Sequence, residues 1–153
     1  MPSNIVSTYR FQLSLWTILL FIIYKYHPNG ILIVAAGLFA VLIHFIVDEG
    51  IIKHVFKKYC FRVRPYNISP DDKIAPIGFH QQDSSFPSSH MSITLAALTV
   101  CFPFFKQYWP LMLVYVLFLA FARLHKGLHY PTDELAGILL GMIYGGVALL
   151  LVM

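Results

Sequence analysis

The chain has 153 residues, of which 58% are hydrophobic and 12% charged, with a formal net charge of +4. A soluble domain carries about twice that share of charge, so composition excludes an ordinary water-soluble enzyme. The charges are also clustered: Lys106 stands alone between Phe86 and Phe121, and residues 135–153 hold none. This is the pattern of an all-α, polytopic bundle of transmembrane helices.

About five spans are predicted. The first covers residues 9–26. Arg10 precedes this apolar run, but Tyr24, Lys25, Tyr26 and His27 follow it where a signal peptide would have small residues, so it is expected to remain as a helix. Asn29-Gly30 after Pro28 marks a turn into the second span, residues 31–52, which can continue through KHVFKKY. On it, His44 and Asp48 lie at i and i+4, and a buried hydrogen-bonded pair that fixes helix packing is expected there. Asp48 or Glu49 could instead pair with Lys53 or Lys57.

The third span, residues 88–105, and the fourth, residues 108–122, fall short of the roughly 20 residues that crossing requires. Tilt, a thinner local bilayer or snorkelling by Lys106 would accommodate them. Pro103 through Pro110 brackets the turn between them, and the fifth span covers residues 132–153. Trp16, Tyr24, Tyr26, Tyr108 and Trp109 fit interfacial belts and lipid-facing packing. Cys60 and Cys101 make no framework, and neither a disulfide between them nor a structural zinc site is expected.

The one long connection runs from Pro65 to Pro87 and holds Pro70, Pro76, Gly78 and the polar run His80-Gln81-Gln82-Asp83-Ser84-Ser85. A connection of that length in so small a protein is functional or disordered, and it is expected to cover part of the site. Asn67-Ile68-Ser69 matches a glycosylation sequon, a pattern frequent by chance. There is no internal repeat and no low-complexity tract, so residues 1–153 are read as one domain.

Three polar clusters carry the chemistry: residues 57–66, KKYCFRVRPY; residues 84–92, SSFPSSHMS; and residues 122–137, ARLHKGLHYPTDELAG. With five spans, all three fall on one membrane face, which favours one composite site. Lys57, Arg64 and Arg123 would then surround one point with cations, a set suited to phosphoryl oxygens. Ser88 and Ser89 stand at a helix start, where backbone N–H groups and the helix dipole favour an anion, and Pro87 fits just before such a start. His90 lies in that first turn and can supply a proton near neutral pH. His129 can act as base or nucleophile through one ring nitrogen while Asp133, four residues on, accepts from the other.

The three clusters resemble the signature of the type 2 phosphatidic acid phosphatase superfamily, which includes the vanadium haloperoxidases. Lys57, six residues, Arg64 and Pro65 match its first motif; Pro87-Ser88-Ser89-His90 its second; and Arg123, five residues, His129, three residues and Asp133 its third. The resemblance covers about residues 50–140. Ser89 stands where glycine is commonest and Ala122 where serine is usual, and Lys53, one turn before Lys57, could take the lysine role if the chain bulges.

The resemblance implies that His129 is a nucleophile forming a phosphohistidine, Asp133 its orienting partner and His90 the acid for the leaving group. It also implies that Lys57, Arg64, Arg123, the Ser88 hydroxyl and the Ser89 backbone N–H hold phosphoryl oxygens. No metal or cofactor is implied. The partners implied are the membrane and a lipid phosphate or diphosphate, not nucleic acid.

Within the superfamily, the phenylalanine before Pro87-Ser88, the polar Ser89 and Ala122 resemble the undecaprenyl-diphosphate phosphatase branch. That points to a polyprenyl diphosphate as substrate, with phosphatidic acid, phosphatidylglycerophosphate or another lipid phosphate as the alternative. The positive-inside count (Lys25 and Lys106 opposite the site, Arg10 beside it) leans by one charge toward a site facing outward from a plasma membrane. Two other classes fit less well. Haem ligation needs histidines deep in two facing spans, and only His44 is deep. An anion carrier would show paired, Gly/Pro-broken halves.

Overall fold

The structure, a computed structural model, describes residues 9–68 and 83–153. Its elements in chain order are α1, Tyr9–Tyr26; α2, Gly30–His44, prolonged by wider π-type turns over Phe45–Val55; a short α3, Lys57–Cys60; α4, Ser89–Phe105; α5, Trp109–His125; and α6, Pro131–Val152. Residues 69–82 of the long connection, with Pro70, Pro76, Gly78, His80 to Gln82 and the last position of the sequon, lie outside the described residues. The expectation that this stretch covers the site lies there too.

Among the described residues, three stretches are long and apolar enough to cross a membrane, Gly30–Val55, Ser89–His125 and Pro131–Val152, and Ser14–Tyr26 is a shorter apolar helix. The 37-residue stretch is not one rod. It reverses at the 3-10 turn Lys106–Tyr108, so that Gln12 of α1 donates to Thr94 of α4 (3.2 Å) and lies beside Tyr115 of α5. The described residues therefore form five long helical legs, the number of spans that the composition predicts. Prolines punctuate them: Pro131 is the first residue of α6 and Pro110 the second of α5, both in a first turn where a missing N–H costs nothing. At 17 residues each, α4 and α5 are about 25 Å long, shorter than the roughly 30 Å hydrocarbon core.

Helix α4 is the hub of the bundle, packed on α6, α2 and α5 and bonded by Gln12 of α1. The core joins Ile33, Ala36 and Ala40 of α2 to Ala96, Val100 and Cys101 of α4 and to Tyr144 and Ala148 of α6. The closest approach is made by glycines. A Cβ on Gly137 would lie 2.7 Å from the Ser88 carbonyl oxygen and one on Gly145 2.6 Å from that of Ala96, with Gly141 pressed equally hard on Ser92. Spaced by four, they form one stripe along α6 into which the backbone of α4 sinks.

Beneath the site, the His44–Asp48 pair is buried as expected, with Nδ1 2.9 Å from Oδ2. Ser92 of α4 donates to Asp48 (2.7 Å) and the Tyr144 hydroxyl of α6 donates to its other oxygen, so one carboxylate ties three helices together. Lys53 pairs with Glu49 (2.8 Å), not Asp48. Both cysteines are free.

Candidate active site

The ends of the α2 extension and of α5 and the starts of α4 and α6 meet at one face. Ser88 is the extended cap residue of α4 (φ −76°, ψ 101°), placed just after Pro87. Its N–H donates to the Asp133 carbonyl (3.2 Å), and its buried hydroxyl lies beside the Glu134 carboxyl. His90 follows in the first turn, buried, within the electrostatic reach of Arg123, His129, Lys53 and Arg64.

Opposite, Arg123 closes α5, and Gly127 turns the chain back with φ 63°, a left-handed conformation that favours glycine. Leu128 and His129 thereby return over the helix end, with the Leu128 N–H on the Arg123 carbonyl (3.2 Å). Tyr130 then caps α6, its N–H donating to Asp133 Oδ2 (2.9 Å).

His129 has both ring nitrogens assigned by their neighbours. Nδ1 lies 2.8 Å from the Ser85 carbonyl oxygen, which can only accept, so Nδ1 carries the proton. Nε2 is left with its lone pair, facing Arg123 Nη2 at 2.7 Å and Arg64 Nη1 at 3.4 Å. Burial, then the charges of Arg123 and Arg64, hold the imidazole well below its ordinary value of 6.5, against the smaller opposing effect of the Ser85 carbonyl. A neutral imidazole whose lone pair points at two guanidinium groups is arranged to attack an atom that those groups would hold.

Two expectations are revised by the geometry. Asp133 does not take the hydrogen bond of His129. It stands 3.9 Å from Nδ1 because Pro131 starts α6 after the histidine, so the two are not stacked on one helical face. Its carboxylate instead caps Tyr130 and accepts from Arg62 (2.8 Å). Lys57 does not join the cluster either. The helix ends at Val55, Phe56 breaks the register (φ −91°, ψ 17°), and Lys57 begins α3 exposed. Lys53 points inward in its place, donating to Ser89 Oγ (2.7 Å) and Glu49 (2.8 Å). The wide turns over Phe45–Val55 are the bulge that this exchange needed.

Of the residues predicted for the site, His129, His90, Arg64, Arg123, Ser88, Ser89 and Asp133 converge. Others were not singled out. Arg62 bonds Asp133 and lies 3.8 Å over the Tyr130 ring. Asp83 pairs with Arg64 (2.7 Å). Glu134 is 3% exposed, beside the Ser88 side chain and within reach of the Arg123 charge. Glu134 carried a readable signal, a carboxylate in the first turn of an apolar span. The Ser85 carbonyl, being backbone, carried none.

Residues 36–153, which contain all three clusters, match the model of the PAP2 superfamily. The chain belongs to this superfamily. It is 30% identical over 105 residues to a lipid A 1-phosphatase of Rhizobium johnstonii, covering 67% of this chain and 43% of that protein. With the undecaprenyl-diphosphatase BcrC of Bacillus subtilis it shares 31% over 96 residues, 62% of this chain and 48% of the other. An undecaprenyl-diphosphatase of Sulfolobus acidocaldarius is 29% identical over 93 residues, 60% of this chain and 44% of the other. The chain thus spans less than half the length of these relatives. No solved structure gave a significant match. As a PAP2 chain it departs from the family pattern at Ser89, whose hydroxyl bonds Lys53 and Glu49 (2.6 Å), so the missing glycine and the exchanged lysine meet in one contact.

Proposed function

We propose that this protein is a membrane phosphatase that hydrolyses a lipid phosphate through a phosphohistidine. The observation that carries the reading is the lone pair of His129 aimed between the guanidinium groups of Arg123 and Arg64 at the mouth of an apolar bundle. In the first step Nε2 bonds to the terminal phosphorus as that phosphorus loses its bond to the bridging oxygen of a diphosphate, or to the ester oxygen of a monophosphate, and His90 gives that leaving oxygen its proton. In the second, water attacks phosphorus, His90 takes a proton from it, and the P–N bond breaks to release inorganic phosphate and free His129. Arg64, Arg123, Lys53 and the Ser88 hydroxyl hold the phosphoryl oxygens and stabilise the charge that builds on them. Fixed cations fill the electrostatic role that a metal ion serves elsewhere, so turnover is expected to persist in excess chelator. Vanadate, which adopts the five-coordinate geometry of the transition state, should inhibit.

The substrate proposed is a polyprenyl diphosphate, such as undecaprenyl diphosphate, cleaved to the monophosphate and phosphate. Support comes from the relatives named undecaprenyl-diphosphatase and from an apolar cavity of about 860 Å³ between α1, α2, α4 and α5. Its lining runs from Ile93 and Ala97 of α4 and Tyr115 of α5 to His27, Phe105 and Tyr108 at the far end and includes none of the site residues, so it is read as room for a hydrocarbon tail and not for the headgroup. The relatives named lipid A 1-phosphatase favour a second reading, a lipid monophosphate.

Phosphate release measured side by side in detergent from undecaprenyl diphosphate, phosphatidic acid and phosphatidylglycerophosphate separates the two. A clear preference for a monophosphate would overturn the polyprenyl assignment, and no release from any of them would overturn the phosphatase. The site is proposed to face outward from a plasma membrane; an engineered cysteine beside Ser84 that resists labelling in intact cells would reverse that.

A further inference from the structure

Arg64 has five N–H groups, and all five are engaged. Nε donates to the Asp83 carbonyl (3.3 Å); Nη1 faces the Leu128 carbonyl (3.0 Å) and His129 Nε2 (3.4 Å); Nη2 donates to Asp83 Oδ1 (2.7 Å) and to the Ser84 carbonyl (3.3 Å). Three of these acceptors are backbone carbonyls, which a side-chain rotation cannot remove. A fourth is the lone pair of His129, where the phosphoryl group would be bonded. The fifth is the Asp83 carboxylate, which a side-chain rotation removes, since that side chain is 50% exposed. Its second oxygen lies 3.6 Å from Lys53 Nζ, whose nearer partners are Glu49 and Ser89.

One carboxylate therefore spans two of the cations around the nucleophile, Arg64 and Lys53, and leaves Arg123 to the imidazole. A phosphoryl oxygen needs the same donors in the same directions, and two anions cannot share them. We infer that Asp83 is a built-in competitor for the phosphoryl group and sets the charge a headgroup must carry to bind. A carboxylate spreads one charge over two oxygens, a phosphate monoester carries more, and a diphosphate more again. Displacement of Asp83 therefore favours the diphosphate. This rests on the phosphatase reading above. The rival role, that Asp83 holds Arg64 in place for the substrate, makes the opposite prediction: neutralising Asp83 would weaken phosphate binding.

The sign of one comparison decides. With the full chain in detergent, inhibition by inorganic phosphate is measured for the parent, Asp83→Asn, Asp83→Ala and Asp83→Glu. Competition predicts an inhibition constant lowered about tenfold in Asp83→Asn and at least as much in Asp83→Ala, the difference of one charge-assisted hydrogen bond. Asp83→Glu, which keeps the carboxylate, should stay closest to the parent. KM should fall more for a lipid monophosphate than for the diphosphate, narrowing the preference between them. Constants that rise or do not change overturn the proposal. Protection by phosphate or vanadate against thermal unfolding gives the same comparison without turnover. A parent protein that binds phosphate but cleaves none of the lipids would sink the phosphatase and still report on Asp83.

Discussion

Two histidines in this chain are followed by an aspartate four residues later, and the fold uses them in opposite ways. His44 and Asp48 both lie in one continuous helical run, stack on one face at 2.9 Å, and close a network with Ser92 and Tyr144 that joins three helices. His129 precedes Pro131 and stays outside its helix, so Asp133 turns back to cap α6 and the imidazole is held by a backbone carbonyl. The first pair satisfies an aspartate at the bundle's interior. The second leaves a nitrogen lone pair that meets no carboxylate among the described residues and faces two guanidinium groups. Spacing alone does not distinguish a packing pair from a reactive one; the position of the helix start does.

Substituting each histidine is the strongest way to break the comparison. His129→Ala should cut phosphate release by at least about a thousandfold while the protein extracts and melts like the parent. His44→Ala should cost about 1–2 kcal/mol of stability in detergent melts yet keep turnover. Equal loss of activity in both would erase the distinction.

The lysines come next. Removing one donor from a developing charge typically costs about a hundredfold, so Lys53→Met should lower kcat/KM by that order and Lys57→Met by far less. A reversed result would return the role to Lys57. Asp133→Asn should be milder, about tenfold on kcat, because the Ser85 carbonyl still orients the ring. A loss as large as that of His129→Ala would show that the 3.9 Å pair tightens during the reaction.

The smallest effect is in pH. A histidine whose proton is held less tightly than in the unfolded chain stays neutral as pH falls through 6.5, so the acid limb of kcat/KM should lie below that value. Arg123→Gln removes the nearest charge and should move the limb upward. By the same sign, the contribution of His129 to stability is complete above about 6.5 and declines as pH falls below it, where the unfolded chain binds the proton first.

Much of this was legible beforehand because it depends on composition and helix periodicity. Five long helices, the shared face of the three clusters and the buried His44–Asp48 pair all follow from where charge is tolerated in an apolar chain. The lysine exchange was only partly legible: Lys53 and Lys57 share a face in a regular helix, and a local widening of the winding with a break at Phe56 chose between them. Arg62 and the Ser85 carbonyl were hidden because they act across 71 and 44 residues of sequence. The stripe of Gly137, Gly141 and Gly145 was in plain view, and its spacing is itself the signal for close helix approach.

That stripe also governs how the site can move. With the carbonyls of α4 seated against bare α carbons of α6, sliding one helix past the other would drive backbone into backbone. His90 rides on the first turn of α4 and His129 directly ahead of α6, so acid and nucleophile share one stiff chassis. Arg62, Arg64 and Asp83 hang on chain outside it. Compliance is thus one-sided: the gauge between the two imidazoles is preset, and a bulkier or smaller headgroup is met by give on the opposite flank alone.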